Sequence, residues 1–262
     1  MIKPKENERI RSVANGDVPE WLNGPDSKSG IGATLSEVRI LPSPPIKYLS
    51  MPSTPYSLIA QVADFYDVYL RFIGYEKSVR KFVDHLPFGP EMPIKVLDAG
   101  CGTGLYSLAI LKKYPNAQIT AFDQDGKLVE HFKEKLQRKG LDQKVRVFPA
   151  DISGTLTELG PEKFDLIITA GVLEYVPLVP TVGNLAKYLV PEGYFLNAPV
   201  ANNFLGRIIG YMYGCKPYSQ SENLKAFTDQ GFSLIELFVP KTIHSFKELH
   251  IFRKLIPLIN NI

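Results

Sequence analysis

From Tyr56 the chain reads SLIAQVADFYDVYLRFIGYEKSVRKFVDHL, with apolar residues recurring three and four positions apart; this predicts helix interrupted near Gly74. The rhythm then shortens. Ile94 to Leu97 is a compact apolar run that predicts a first buried strand, and Leu105, Leu108, Ala109 and Leu111 resume helical spacing before Tyr114-Pro115. AQITAFD predicts a second strand ending on Asp123, followed by a helix from Lys127 to Lys139 closed by Gly140. KVRVFPAD predicts a third strand ending on Asp151, and Phe164 to Thr169 a fourth. A helix near Leu178 to Val190 precedes a fifth strand, GYFLNAPV. The last third predicts a helix around Ser221 to Asp229 and strands in GFSLIELFV and near Leu249 to Arg253. Strands alternating with helices imply a mainly parallel sheet, which places ligands at the carboxyl ends of its strands.

Ahead of this pattern the rhythm is missing. The first 55 residues carry eight of the 21 prolines, and Trp21 and Tyr48 are their only aromatic residues. Such a segment buries little apolar surface, so 1–55 is expected to be a Pro-rich arm, extended or partly disordered, and 56–262 the folded domain. Leu41, Ile46, Tyr48, Leu49 and Met51 would be anchors if the arm docks.

Composition adds limits. The 262 residues are 45% hydrophobic and 22% charged, enough for one large α/β domain with extensions. A net charge of +3 with no basic stripe does not indicate nucleic acid. Cys101 and Cys215 are too few for a disulfide framework or a cysteine zinc site, so no metal is expected and a reducing, cytoplasmic setting is. The opening MIKPKENERIRS has no apolar core of a signal peptide, and no run of about 18 uncharged apolar residues predicts a membrane span.

The densest chemistry lies in VLDAGCGTGL, Val96 to Leu105: a strand, then glycines at Gly100, Gly102 and Gly104, then a helix. Glycines there supply positive φ and let a ligand approach the main chain, while the N–H groups opening the helix attract anionic or strongly polar groups. The spacing differs from the dinucleotide fingerprint G-x-G-x-x-G, because the third glycine comes one position early. Asp98, two residues before the first glycine, suits a ligand with a cationic amine better than one with a pyrophosphate. Asp123, at the end of the second strand, can accept hydrogen bonds from both hydroxyls of a ribose. Asp151 with Ile152 could meet an adenine, although an aspartate at a strand end equally serves as a cap or turn former.

Taken in order, VLDAGCGTG, AFDQD, PADI, FDLIITAGVLEYV and LAKYLVPEGYF resemble the class I S-adenosylmethionine-dependent methyltransferase superfamily from about Tyr56 to the C-terminus. The resemblance implies a Rossmann-like, doubly wound, mainly parallel seven-stranded sheet with a C-terminal antiparallel strand. It implies S-adenosyl-L-methionine as cofactor, with Gly100, Cys101, Gly102 and Gly104 along its methionine part and Asp98 at its amino end. Asp123 would hold the ribose, with Gln124 also among the cofactor contacts, Asp151 and Ile152 would meet the adenine, and Ala170 would close the site; Tyr66 would cover the cofactor from the preceding helix. Where many relatives have Pro-Gly-Gly before strand five, this chain has Pro191-Glu192-Gly193.

The acceptor is less legible. Glu174 and Tyr175, just beyond strand four, and His244, in the C-terminal hairpin, are the candidates for a general base, should one be needed. The Asn/Asp-Pro-Pro-Tyr/Phe motif of amino-methylating relatives is absent after strand four, where Thr169-Ala170-Gly171-Val172 stands, and no Pro-Cys nucleophile is present. These absences favour a small-molecule or lipid-like acceptor. Ala201 to Ser219, with Phe204, Leu205, Ile208, Ile209, Tyr211, Met212 and Tyr213, reads as a lid over the acceptor or as a core helix. A non-catalytic S-adenosylmethionine-binding regulatory module and an NAD(P)-dependent dehydrogenase are the competing readings, the second disfavoured by the glycine spacing.

Overall fold

The computed structural model describes residues 67, 68, 72, 74–239 and 247–256. The Pro-rich arm, Tyr66 and His244 lie outside the described residues.

Helix α1 (Tyr75–Asp84) buries Tyr75, Val79, Phe82 and Val83, the stripe that its apolar spacing predicts. Strand β1 (Lys95–Ala99) leads through the glycine loop into α2 (Leu105–Lys113), then β2 (Gln118–Asp123), α3 (Gly126–Lys139) and β3 (Val145–Pro149). The chain then returns to β4 (Phe164–Ala170), α4 (Leu178–Ala186) and β5 (Leu189–Ala198), and closes with α5 (Phe204–Tyr213), α6 (Gln220–Thr228), β6 (Phe232–Phe238) and β7 (Leu249–Lys254). Among the described residues the seven strands form one sheet in the order β3-β2-β1-β4-β5-β7-β6. Strands β1 to β5 are parallel, and β7 is antiparallel to both β5 and β6. The expected doubly wound sheet and its antiparallel C-terminal strand are thus present.

Side chains alternate across the sheet, so each strand feeds two cores. Val96 packs with Ile119, Val129 and Phe132 on one face, whereas Leu97 packs with Phe122, Ile167 and Phe195 on the other. Burial on both faces explains why β1, β2 and β4 read as mostly apolar runs rather than strict alternation. Order matters for function too. The chain builds β1, β2 and β3 outward on one side, then crosses back to β4, so the strand order reverses between β1 and β4. A crevice for a ligand belongs at the carboxyl ends of those strands.

Two sequence expectations shift. Strand β3 stops at Pro149, which leaves Asp151 in the following turn. Helix α4 stops at Ala186 rather than Val190, because Leu189 pairs with Phe164 and the Tyr188 carbonyl accepts from the Phe164 amide at 2.8 Å. Apolar spacing could not show that edge pairing. Glu192 takes φ +60°, a left-handed conformation that costs a non-glycine residue about 1–2 kcal/mol. Its carboxylate is paired with Arg253 on β7.

Of the two readings of Ala201 to Ser219, helix α5 does not show the core-packed apolar face. Asn203 caps it by accepting from the Gly206 amide at 2.9 Å, and Gly214 ends it at φ +66°. Its buried face consists of Gly206 and Gly210: a Cβ at the first would lie 1.8 Å from the Ala201 carbonyl oxygen, and at the second 2.7 Å from Pro217. The large side chains therefore point outward, with Phe204 83% and Tyr211 91% exposed.

Candidate functional site

The glycine loop is sewn to β2 by its backbone. The Gly100 and Cys101 amides both donate to the Phe122 carbonyl, at 2.8 and 2.9 Å, and the Gly104 amide donates to the Cys101 carbonyl at 2.9 Å. All three glycines have positive φ, but they are needed for different reasons. A Cβ on Gly100 would lie 2.4 Å from a Val172 methyl, and one on Gly104 would enter the Phe132 ring at 2.0 Å. Those two glycines let the loop seat on its neighbours. Only Gly102 faces open space, with nothing within 4 Å of where its Cβ would stand. The open Gly102 position fits the sequence expectation of close ligand approach. The Cys101 side chain belongs to the apolar core, and burial followed by the nearby Asp98 and Asp123 pushes its thiol well above the usual range. It is an inert spacer rather than a nucleophile.

Two carboxylates stand beneath this loop. Asp98 is buried at the end of β1 and accepts from the Ser107 hydroxyl at 2.6 Å on α2. Burial raises its pKa from 3.8 to about 6, the Ser107 bonds lowering it in part and Asp123 adding to the rise. Asp123, also buried, accepts from the Gly102 amide at 2.8 Å through one oxygen and from the Asp125 amide at 3.0 Å through the other. The carboxylate predicted for a ribose thus also fixes the position of the open glycine. Gln124, next in the chain, is exposed.

The remaining expected contacts border this point. Asp151 is exposed and accepts from the Ser153 amide at 2.8 Å and the Ser153 hydroxyl at 2.7 Å, so it holds its own turn. Its neighbour Ile152 is buried against Phe122 and Leu156 in the second core. Ala170 ends β4, and the following Gly171 amide donates to the Ala198 carbonyl at 3.1 Å. No cluster of His, Cys, Asp or Glu with metal-binding geometry occurs among the described residues.

A second polar group lies over β4 and β5. Glu174 is buried in a short turn after β4; one carboxylate oxygen accepts from the Val200 amide and the other has no hydrogen-bond partner among the described residues. Beside it, burial and then the Cys215 thiol push the Tyr175 hydroxyl well above its ordinary range. Cys215 is raised as well, by burial first and then by Glu174, while Tyr175 and Lys247 pull it down. Sequence reasoning missed Lys247. Its backbone bridges Val200, its ammonium donates to the Ala198 carbonyl at 3.4 Å, and that ammonium stands 2.6 Å from where a Gly171 Cβ would be. Below it, Thr169 donates to Asn197 at 3.0 Å and Asn197 donates to Asn223 at 3.2 Å. Nothing in the sequence marks Lys247, because its position depends on β7 folding back antiparallel to β5.

A doubly wound sheet with a glycine loop after β1 and an acid closing β2 is the α/β architecture that offers a ligand crevice at its switch point. Residues 96–193 match a family model described as a methyltransferase domain. Malonyl-[acyl-carrier protein] O-methyltransferase of Priestia megaterium is 30% identical over 59% of this chain and 57% of its own length. Ribosomal protein L11 methyltransferase of Acetivibrio thermocellus is 34% identical over 39% of this chain and 30% of its own. The chain therefore spans less than two thirds of either relative. Among solved structures, an O-methyltransferase family 2 protein from Planctomyces limnophilus in complex with apigenin superposes with a TM-score of 0.59 at 20% identity, covering 74% of this chain and 62% of that one. Geranyl diphosphate C-methyltransferase from Streptomyces coelicolor, in complex with S-adenosyl-L-homocysteine, gives 0.57 at 14% identity, covering 68% and 76%. The family model and these named similarities support a class I S-adenosylmethionine-dependent methyltransferase, and the solved structures share its fold.

Proposed function

We propose that this protein transfers a methyl group from S-adenosylmethionine to a small-molecule or lipid-like acceptor. The observation that carries the reading is the Asp123 carboxylate bonded at 2.8 Å to the amide of Gly102, the loop glycine with open space above it. Hydroxyls of a ribose find a fixed, charged acceptor there, and the loop backbone lets the methionine part of the ligand lie close. Asp98 would meet the ligand's ammonium group. Gln124 would border the ribose, Ile152 with Asp151 the adenine, and Ala170 the transferable methyl.

When bound, the sulfonium supplies an activated methyl carbon that leaves behind a neutral thioether. The protein's share is then to hold an acceptor atom in line with that carbon and to exclude water, so alignment carries much of the rate. The relatives named above include enzymes acting on oxygen and on carbon, which supports the methyltransferase reading without choosing the acceptor. Calorimetric titration of the full chain with S-adenosylhomocysteine, followed by labelled methyl transfer to fractionated small molecules, tests the reading. Saturable binding with transfer supports it; absence of binding overturns it.

A further inference from the structure

We propose that Lys247 receives a carboxylate of the acceptor, which makes the substrate a carboxylic acid and the product its methyl ester; this rests on the methyltransferase reading above. Lys247 is 91% buried, by its relative exposure of 9%, yet among the described residues its ammonium has a single, long hydrogen bond, 3.4 Å to the Ala198 carbonyl. No carboxylate of the described residues lies within ion-pair distance of it. Among the described residues this buried ammonium, with three donors and one weak partner, has no counter-ion.

Position says what that counter-ion does. The ammonium stands over Gly171, one residue beyond Ala170, at the carboxyl ends of β4 and β5. A second cation, the sulfonium, has to be delivered to the same edge of the sheet. An ammonium and a sulfonium at one edge of the sheet repel each other, and an acceptor carboxylate between them would satisfy both. Glu174 is the other ionisable group here, together with Tyr175 and Cys215. One Glu174 oxygen is held by the Val200 amide, and Cys215 feels Glu174 and Lys247 in opposite senses. Among the described residues Glu174 forms no ion pair with that ammonium.

The chemistry closes without a base. A lone pair of the carboxylate oxygen forms the new O–C bond, the S–C bond breaks with its pair returning to sulfur, and the negative and positive charges cancel. No proton is released, which agrees with a site where the neighbouring hydroxyl and thiol are both pushed up.

The test uses the full chain saturated with S-adenosylhomocysteine and measures the further rise in melting temperature given by benzoate, hexanoate and the malonyl thioester of N-acetylcysteamine, each beside its methyl ester. The expected result is stabilisation by at least one acid over its ester. Lys247→Gln should weaken that acid about ten-fold or more, whereas Lys247→Arg retains the preference. Both variants should keep the stabilisation given by S-adenosylhomocysteine alone, which shows that they fold. Acids that bind no better than their esters, or a glutamine variant that binds the acid as wild type does, would overturn the inference alone. Failure of S-adenosylhomocysteine to bind overturns the methyltransferase reading and this inference with it.

Discussion

The carboxyl edge of the sheet has two halves built on opposite plans. Over β1 and β2, the buried acids are closed by their neighbours: Asp98 by the Ser107 hydroxyl, Asp123 by the Gly102 and Asp125 amides. Over β4 and β5, one Glu174 oxygen and the His250 Nδ1 have no hydrogen-bond partner among the described residues, and Lys247 makes one long bond. Local backbone geometry satisfies the first half, so the chain pre-organises it before any ligand arrives. The second half leaves polar groups for something else to satisfy. A shared cofactor suits the first plan and a particular acceptor the second.

The contrast is broken most severely inside the glycine loop. Gly104→Ala drives a methyl into the Phe132 ring at a residue with φ +81°, so it should cost roughly 1–3 kcal/mol for overpacking and about 1–2 kcal/mol more for the backbone. Gly102→Ala meets no neighbour and should lose only the backbone part. Urea unfolding of both variants checks this, and equal losses would show that the loop is not seated on Phe132.

Asp98 gives the next largest effect, through pH. Its folded pKa of about 6 exceeds the ordinary 3.8, so the folded state holds the proton more tightly. Wild-type stability relative to Asp98→Asn should therefore fall as pH rises from about 4 to about 6, by up to about 3 kcal/mol, and stay level above. An ammonium brought by a ligand pulls this pKa down. Affinity for S-adenosylhomocysteine should then weaken as pH drops below about 6 in wild type and change little in the asparagine variant. A flat wild-type profile would contradict the buried-acid account.

Smaller effects sharpen the other half. Glu192→Gly relieves the left-handed strain of about 1–2 kcal/mol and gives up an exposed ion pair worth about 0–1 kcal/mol, so thermal unfolding should show a modest gain. Tyr211→Ser with Met212→Ser should change stability by no more than about 0.5 kcal/mol, since both side chains are largely exposed. A larger loss in that double variant would mean the outer face of α5 is packed.

Legibility follows the same division. Strands β1, β2 and β4, the glycine loop and the Asp98–Asp123 pair could be read from the sequence, because each is specified by residues close together in the chain. Glu174 was visible for the same reason, lying just past β4. Lys247 was not, since its place is set by pairing with Val200, 47 positions earlier. The outward face of α5 was one of two readings that the sequence left open. Apolar spacing normally points a helix face inward, but here Gly206 and Gly210 make the contact, and only their crowding against Ala201 and Pro217 reveals it. The end of α4 was misplaced because strand pairing at Leu189 outweighed helical spacing.

The central claim is that Asp123 and the open Gly102 form the ribose side of an S-adenosylmethionine site. Calorimetric titration of the wild-type protein and of Asp123→Ala, with S-adenosylhomocysteine and with NADH, tests it most directly. The account predicts that the wild type binds S-adenosylhomocysteine and not NADH, and that losing the charged acceptor, worth about 1.5–3 kcal/mol per bond, weakens binding about ten-fold or more. Asp123→Asn should fall between the two. Wild-type affinity in a folded alanine variant, or a preference for NADH in the wild type, would contradict it.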